Sequence, residues 1–146
     1  MTVIDELFEQ TKKGIKEILE SDVLKKVRNF VYGEVTYKFE HDDIMKMLPK
    51  IQAINMGVID EVIVHDVNGD IHTLPAKEYI ERNHAGFMNK MQNELDLESL
   101  LGVLNSIQTF TALANFGSFD MAKKFYLEDK EEEVVEEETG EEIIEE

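Results

Sequence analysis

VIDEVIVHDVNGDIHTL, residues 58–74, decides the fold of this chain. Apolar and β-branched residues crowd its first ten positions, and Asn68-Gly69 follows, a pair that tolerates positive φ at both centres of a tight turn. The spacing predicts a strand over 58–67, a two-residue turn, and a returning strand over 70–74. Everything outside this β-hairpin (about 58–74) reads mainly as helix.

Nine of these residues, VHDVNGDIH (64–72), also gather two histidines and two acids. A turn centred on Asn68-Gly69 pairs Asp66 with Ile71, His65 with His72 and Val64 with Thr73. Opposed residues on a ladder have Cβ atoms about 4.5–5.5 Å apart, near enough for His65 and His72 to share a divalent metal such as zinc, with Asp70 as a third ligand. Val62, Val64 and Ile71 then form the core side. The plainer reading, and the one preferred, is of two solvent-facing histidines on a hairpin whose turn is set by Asp70. A calcium loop starting at Asp66 fails, because it would need a glycine at Ile71 and a carboxylate at Lys77.

Upstream, Thr2 caps a first helix with Asp5 three residues on, and Ile4, Leu7, Phe8, Ile15, Ile18 and Leu19 share one face. Ser21 and Asp22 supply a fresh cap, from which Leu24, Val27 and Val31 continue into a second helix or an extension of the first. Gly33 interrupts, and Val35, Tyr37 and Phe39 alternate with polar residues as a strand does. From Asp42 onward Ile44, Met47, Leu48, Ile51 and Ile54 return to helical spacing, with Pro49 expected to break or kink the helix and Gly57 to close it.

Downstream, Pro75 opens a helix whose apolar face is Ile80, His84, Phe87 or Met88, Met91 and Leu95, which makes His84 a half-buried core histidine. Asp96 is read as the cap of another helix, about Leu97–Phe116, and no charged residue occurs between Ser99 and Phe119. Ser99, Gly102, Ser106 and Thr109 give that helix a second side of small residues, which would admit a neighbouring helix closely and offers a surface for self-association. Asn105, Ser106, Gln108 and Asn115 argue against its crossing a membrane. Gly117 and Ser118 end it and cap a short last helix. The expected class is therefore α+β and mostly helical, with four to six helices packed on a small antiparallel sheet, in a single domain over residues 1–127.

Charge divides the chain. The net charge is −17, and the last nineteen residues, Glu128 to Glu146, hold twelve acids and one lysine, net −11. Such a block repels itself and lacks apolar surface, so 128–146 is expected to be a disordered acidic tail. Val134-Val135 and Ile143-Ile144, set between acids such as Glu136 and Glu137, would let it add as a strand to a partner's sheet edge with carboxylates meeting a basic rim. Nucleic-acid phosphates and anionic membranes are repelled by this balance. With no cysteine there is no thiolate nucleophile and no disulfide, and the acidic amphipathic start is unlike a targeting segment, so a cytoplasmic location is expected.

No phosphate loop is present, since every glycine is isolated, and no nucleophile-base spacing is recognisable. The sequence therefore favours a non-enzymatic protein that binds a basic protein surface without a cofactor. In composition it resembles phage-encoded accessory proteins, the small acidic factors that assist assembly or inhibit a host protein. The competing readings are a metal-binding module or metal-dependent hydrolase built on His65, His72 and Asp70, and a structural subunit of a larger assembly, for which a homo-oligomer is the simplest case.

Overall fold

Thr2 and Asp5 exchange hydrogen bonds, Asp5 N to Thr2 Oγ1 at 3.1 Å and Thr2 N to Asp5 Oδ2 at 3.2 Å, and this reciprocal cap opens the first helix. The computed structural model describes residues 2–128. In order these form α1 (Val3–Val27), β1 (Asn29–Tyr32), β2 (Val35–Lys38), α2 (His41–Asn55), β3 (Glu61–His65), β4 (Ile71–Pro75), α3 (Ala76–Ser106), α4 (Phe110–Leu113) and α5 (Phe119–Lys123), ending in a π-helical turn, Lys124–Glu128. The class is α+β and mostly helical, with two separate antiparallel hairpins rather than one sheet. Residues 129–146 of the acidic tail, with Val134, Val135, Glu136, Glu137, Ile143 and Ile144, lie outside the described residues.

By internal contacts the chain divides into two units, Leu24–Asn93 and a second in which the segment before Leu24 joins that after Asn93. The first holds both hairpins. Its buried cluster is Phe30, Tyr37, Phe39, Met47, Val62, Val64 and Tyr79: β1 and β2 give one residue each, Phe39 follows β2, β3 gives the alternate pair Val62 and Val64, and α2 and α3 supply one apiece, while β4 adds only the partly buried Leu74. Gly86 admits the aromatics, because a Cβ there would stand 2.5 Å from Phe39 Cε1 and 3.1 Å from Phe30 Cε1. Asn89 Nδ2 donates to the carbonyls of Lys26 and Asn29, both at 3.1 Å, bridging the end of α1 to the start of β1.

The other unit is helical. Leu19, Leu100, Leu104, Phe119 and Ala122 are its most buried side chains. Asp22 does not cap a second helix; α1 runs through it, and its Oδ2 instead accepts from Phe119 N at 3.0 Å, at the start of α5. Ser118 caps α5 as its sequence position predicts, accepting from Met121 N at 3.3 Å.

Three further expectations are corrected. Val31 belongs to β1 and not to a helix, because Phe30, Val31 and Tyr32 prefer a pleated surface and find a partner in β2. Pro49 does not break α2 but lies inside it at an exposed position. Asp96 caps nothing, since α3 continues for 31 residues with no proline inside it. Asp96 is buried mid-helix and lies 3.1 Å from Lys123 Nζ.

Candidate functional site

The register of β3 and β4 settles what the histidines do. Val64 pairs with His72 and His65 with Ile71, one residue away from the expected pairing. Because side chains alternate, that single step sends His65 and His72 to opposite faces of the hairpin. His72 stands on the inner side with Val62, Val64 and Leu74, whereas Ile71, expected in the core, is 65 % exposed. The cross-strand metal pair does not form. Among the described residues no group of three His, Cys, Asp or Glu side chains stands close enough to hold a metal ion.

The cause is the turn. Only Gly69 of the Asn68-Gly69 pair has positive φ, +86°, so the loop is not a two-residue turn. Gly69 N donates to Asp66 O at 3.0 Å and Asp66 N to Asp70 O at 3.0 Å, leaving Val67, Asn68 and Gly69 as a three-residue loop with glycine in the left-handed position. Asp66, weighed from the sequence only as the first position of a calcium loop, organises it. Its Oδ1 accepts from Asn68 N at 2.8 Å and Asp70 N at 3.0 Å, and its Oδ2 lies 2.9 Å from His72 Nε2. The His72 bond, opposed by burial and helped by the two backbone N–H groups, holds the Asp66 carboxyl below the usual carboxylate range. His72 also meets Tyr37 edge-on at 6.0 Å, and Val67 N donates to Thr36 O at 3.0 Å, so the loop is latched onto β2. Asp70 contributes its backbone and leaves its side chain exposed.

A different set of residues converges in the same unit. Lys38, Asp43, Lys46, Met47, Lys50, Val64, His65, Tyr79 and Arg82 line a pocket of about 270 Å³. Asp43, Lys46, Met47 and Lys50 share a face of α2 at helical spacing, Tyr79 and Arg82 do so on α3, and Lys38 and His65 close the ends of β2 and β3. Four cations therefore meet one carboxylate in a protein of net charge −17. None of the four is ion-paired among the described residues. Asp43 accepts instead from the backbone of Glu40 at 2.9 Å, helping to cap α2.

Arg82 is the least expected member, being 6 % exposed. Its guanidinium lies 4.7 Å from the Tyr37 ring, 5.1 Å from Tyr79 and 5.6 Å from Phe30, an aromatic cage that compensates part of the lost hydration. Nη2 donates to Asn83 Oδ1 at 3.0 Å, while Nε is buried without a partner. Burial lowers the affinity of Arg82 for its proton, opposed by Tyr79, Tyr37 and Asp43. Lys50 is pushed below the usual lysine range by burial first, then by the charges of Arg82 and Lys46. No local motif announces this site, because its residues come from four elements; the lysines at 46 and 50, one turn apart before an apolar run, were its faintest trace.

Two surfaces named from the sequence are also placed. Ser99, Gly102, Ser106 and Thr109 are exposed, and a Cβ on Gly102 would meet nothing within 4 Å, so this side of α3 is not covered by the described chain. Thr109 lies beyond α3, where its hydroxyl caps α4 by accepting from Ala112 N at 3.2 Å. The face around His84 is exposed rather than half-buried: Ile80, Phe87, Met88 and Met91 are each 40–50 % exposed, and His84 is open with them. Among the described residues no helix is long and apolar enough to cross a membrane. No protein-family model, curated protein or solved structure matches this chain.

Proposed function

We propose that this chain is a non-catalytic cytoplasmic interaction protein whose partner is a protein with an apolar patch ringed by basic residues. The observation that carries this reading is the exposed side of α3, where Ile80, Phe87, Met88 and Met91 leave four large apolar side chains in water on one helix. Contiguous apolar surface of this kind marks binding sites more often than it serves the isolated fold. The charge of −17 selects the partner. A basic rim is attracted, whereas a second copy carries the same charge and is repelled. An assembly or host-inhibiting role, for which the composition resembles phage accessory factors, is the biological setting that fits such a binder.

Affinity capture from a lysate of the source cells, followed by calorimetry with the captured protein, tests this. The expected result is a basic partner that full-length protein retains at low salt, releases at high salt, and loses with the double variant Phe87→Asp, Met91→Asp. Ending the chain at Leu127 should weaken the same complex, because it removes −11 of charge. A retained partner that is acidic, or one indifferent to both salt and the α3 variant, contradicts the reading. A dimer by sedimentation at low salt would replace the basic partner with a second copy.

A further inference from the structure

We propose that the pocket bounded by Lys38, Lys46, Lys50 and Arg82 binds a small molecule through its phosphate group. The charge count points to an anion: four cations face one carboxylate, and that carboxylate is engaged at the cap of α2. Buried polar groups in native proteins have partners, so a guanidinium Nε–H that is 94 % shielded with its residue and has none calls for an acceptor. Mutual repulsion among Lys46, Lys50 and Arg82, which helps push the Lys50 ammonium below its usual range, is relieved by the same anion.

The geometry favours phosphate over carboxylate. Arg82 is held by three rings and spends Nη2 on Asn83, so the paired fork that suits a planar carboxylate is already in part occupied. What remains is the guanidinium charge with its buried, unpartnered Nε–H, and lysines approaching from β2 and from two successive turns of α2. Point charges on separate sides suit a tetrahedral oxyanion with several acceptor oxygens. A volume of about 270 Å³ lies just below the range of drug-sized pockets, room for a phosphate and a few carbons. Tyr79 and Met47 supply apolar wall for those carbons.

Amide and arginine-side-chain NMR on full-length protein tests this, with sn-glycerol 3-phosphate, inorganic phosphate and succinate titrated separately at constant ionic strength. The expected result is saturable shifts at Lys46, Lys50 and Tyr79 and at the Arg82 Nε–H, tighter for the phosphate ester than for inorganic phosphate. Arg82 variants risk unfolding, so the rim carries the mutational arm. Lys46→Gln and Lys50→Gln should each weaken binding by about five- to tenfold, the scale of one partly screened charge contact, while Lys13→Gln, which removes the same charge outside the pocket, leaves it unchanged. Tighter binding of inorganic phosphate overturns the small-molecule carrier, and succinate binding as tightly as the ester overturns the phosphate class. Absence of localised shifts, or equal effects of Lys13→Gln and Lys46→Gln, overturns the site.

Discussion

The two hairpins are close in size and differ in one dihedral choice. In β1–β2 the turn residues Gly33 and Glu34 both take positive φ, +57° and +65°, giving a two-residue turn in which Tyr32 faces Val35. In β3–β4 the Asn68-Gly69 pair, the stronger two-residue signal by composition, supplies positive φ only at Gly69 and the loop holds three residues. An even loop and an odd loop differ by one step of register, and one step exchanges the two faces of a strand. The chemistry of the second hairpin follows from that step: His72 is turned inward to Asp66 and Tyr37, and His65 is left at the rim of the cationic pocket.

The largest disturbance should erase the distinction by removing what both hairpins rest on. Tyr79 is 1 % exposed and belongs to the cluster that contains residues from both. Tyr79→Ala is expected to cost about 3–5 kcal/mol by urea unfolding, the scale of a buried aromatic deletion, with amide exchange accelerated in all four strands. Gly86→Ala should act on one hairpin first. Its new methyl would press on Phe39 and Phe30, at a cost of roughly 1–3 kcal/mol, with faster exchange appearing in β1 and β2 before β3 and β4.

Turn substitutions sharpen the contrast with smaller, opposite effects. Gly69→Ala meets no neighbouring atom within 4 Å and should still cost about 1 kcal/mol, because an L side chain is placed at φ +86°. Glu34→Gly should be neutral or gain up to about 1 kcal/mol, since it relieves the same strain at φ +65°. Matched urea curves for the two variants check the signs. Acid should separate the hairpins most gently. Asp66 is held below its unfolded carboxyl value, so its contribution is complete above that value, about pH 4, and is lost as pH falls through the lower folded value. Amide shifts of Val67 to Gly69 should therefore move in the acid range, and the midpoint of the move should rise in His72→Gln, which removes the largest cause of the lowered value.

Periodicity made the helices and the existence of the second hairpin legible, and the caps at Thr2 and Ser118 were readable from one or two side chains. What failed were the cap and turn inferences that depended on neighbours distant along the chain. Asp22 and Asp96 carry the chemistry of helix caps, yet Asp22 serves α5 and Asp96 sits beside Lys123 because tertiary neighbours outbid local preference. Asn68-Gly69 permits two loop lengths, and the choice coincides with Asp66 bonding two loop amides and Val67 reaching β2, contacts that composition does not encode. Lys38, Lys46, Lys50 and Arg82 were invisible as a site for the same reason: they are separated along the chain and joined only by packing.

Cross-strand Hα–Hα nuclear Overhauser effects in β3–β4 test the central claim, that loop length assigns the two histidines to different faces. In the three-residue loop the narrow pairs are His65 with Ile71 and Ile63 with Thr73, and strong cross-peaks are predicted for both. Cross-peaks instead between Asp66 and Ile71 and between Val64 and Thr73 would restore the two-residue turn, place His65 opposite His72, and undo this account of the hairpin.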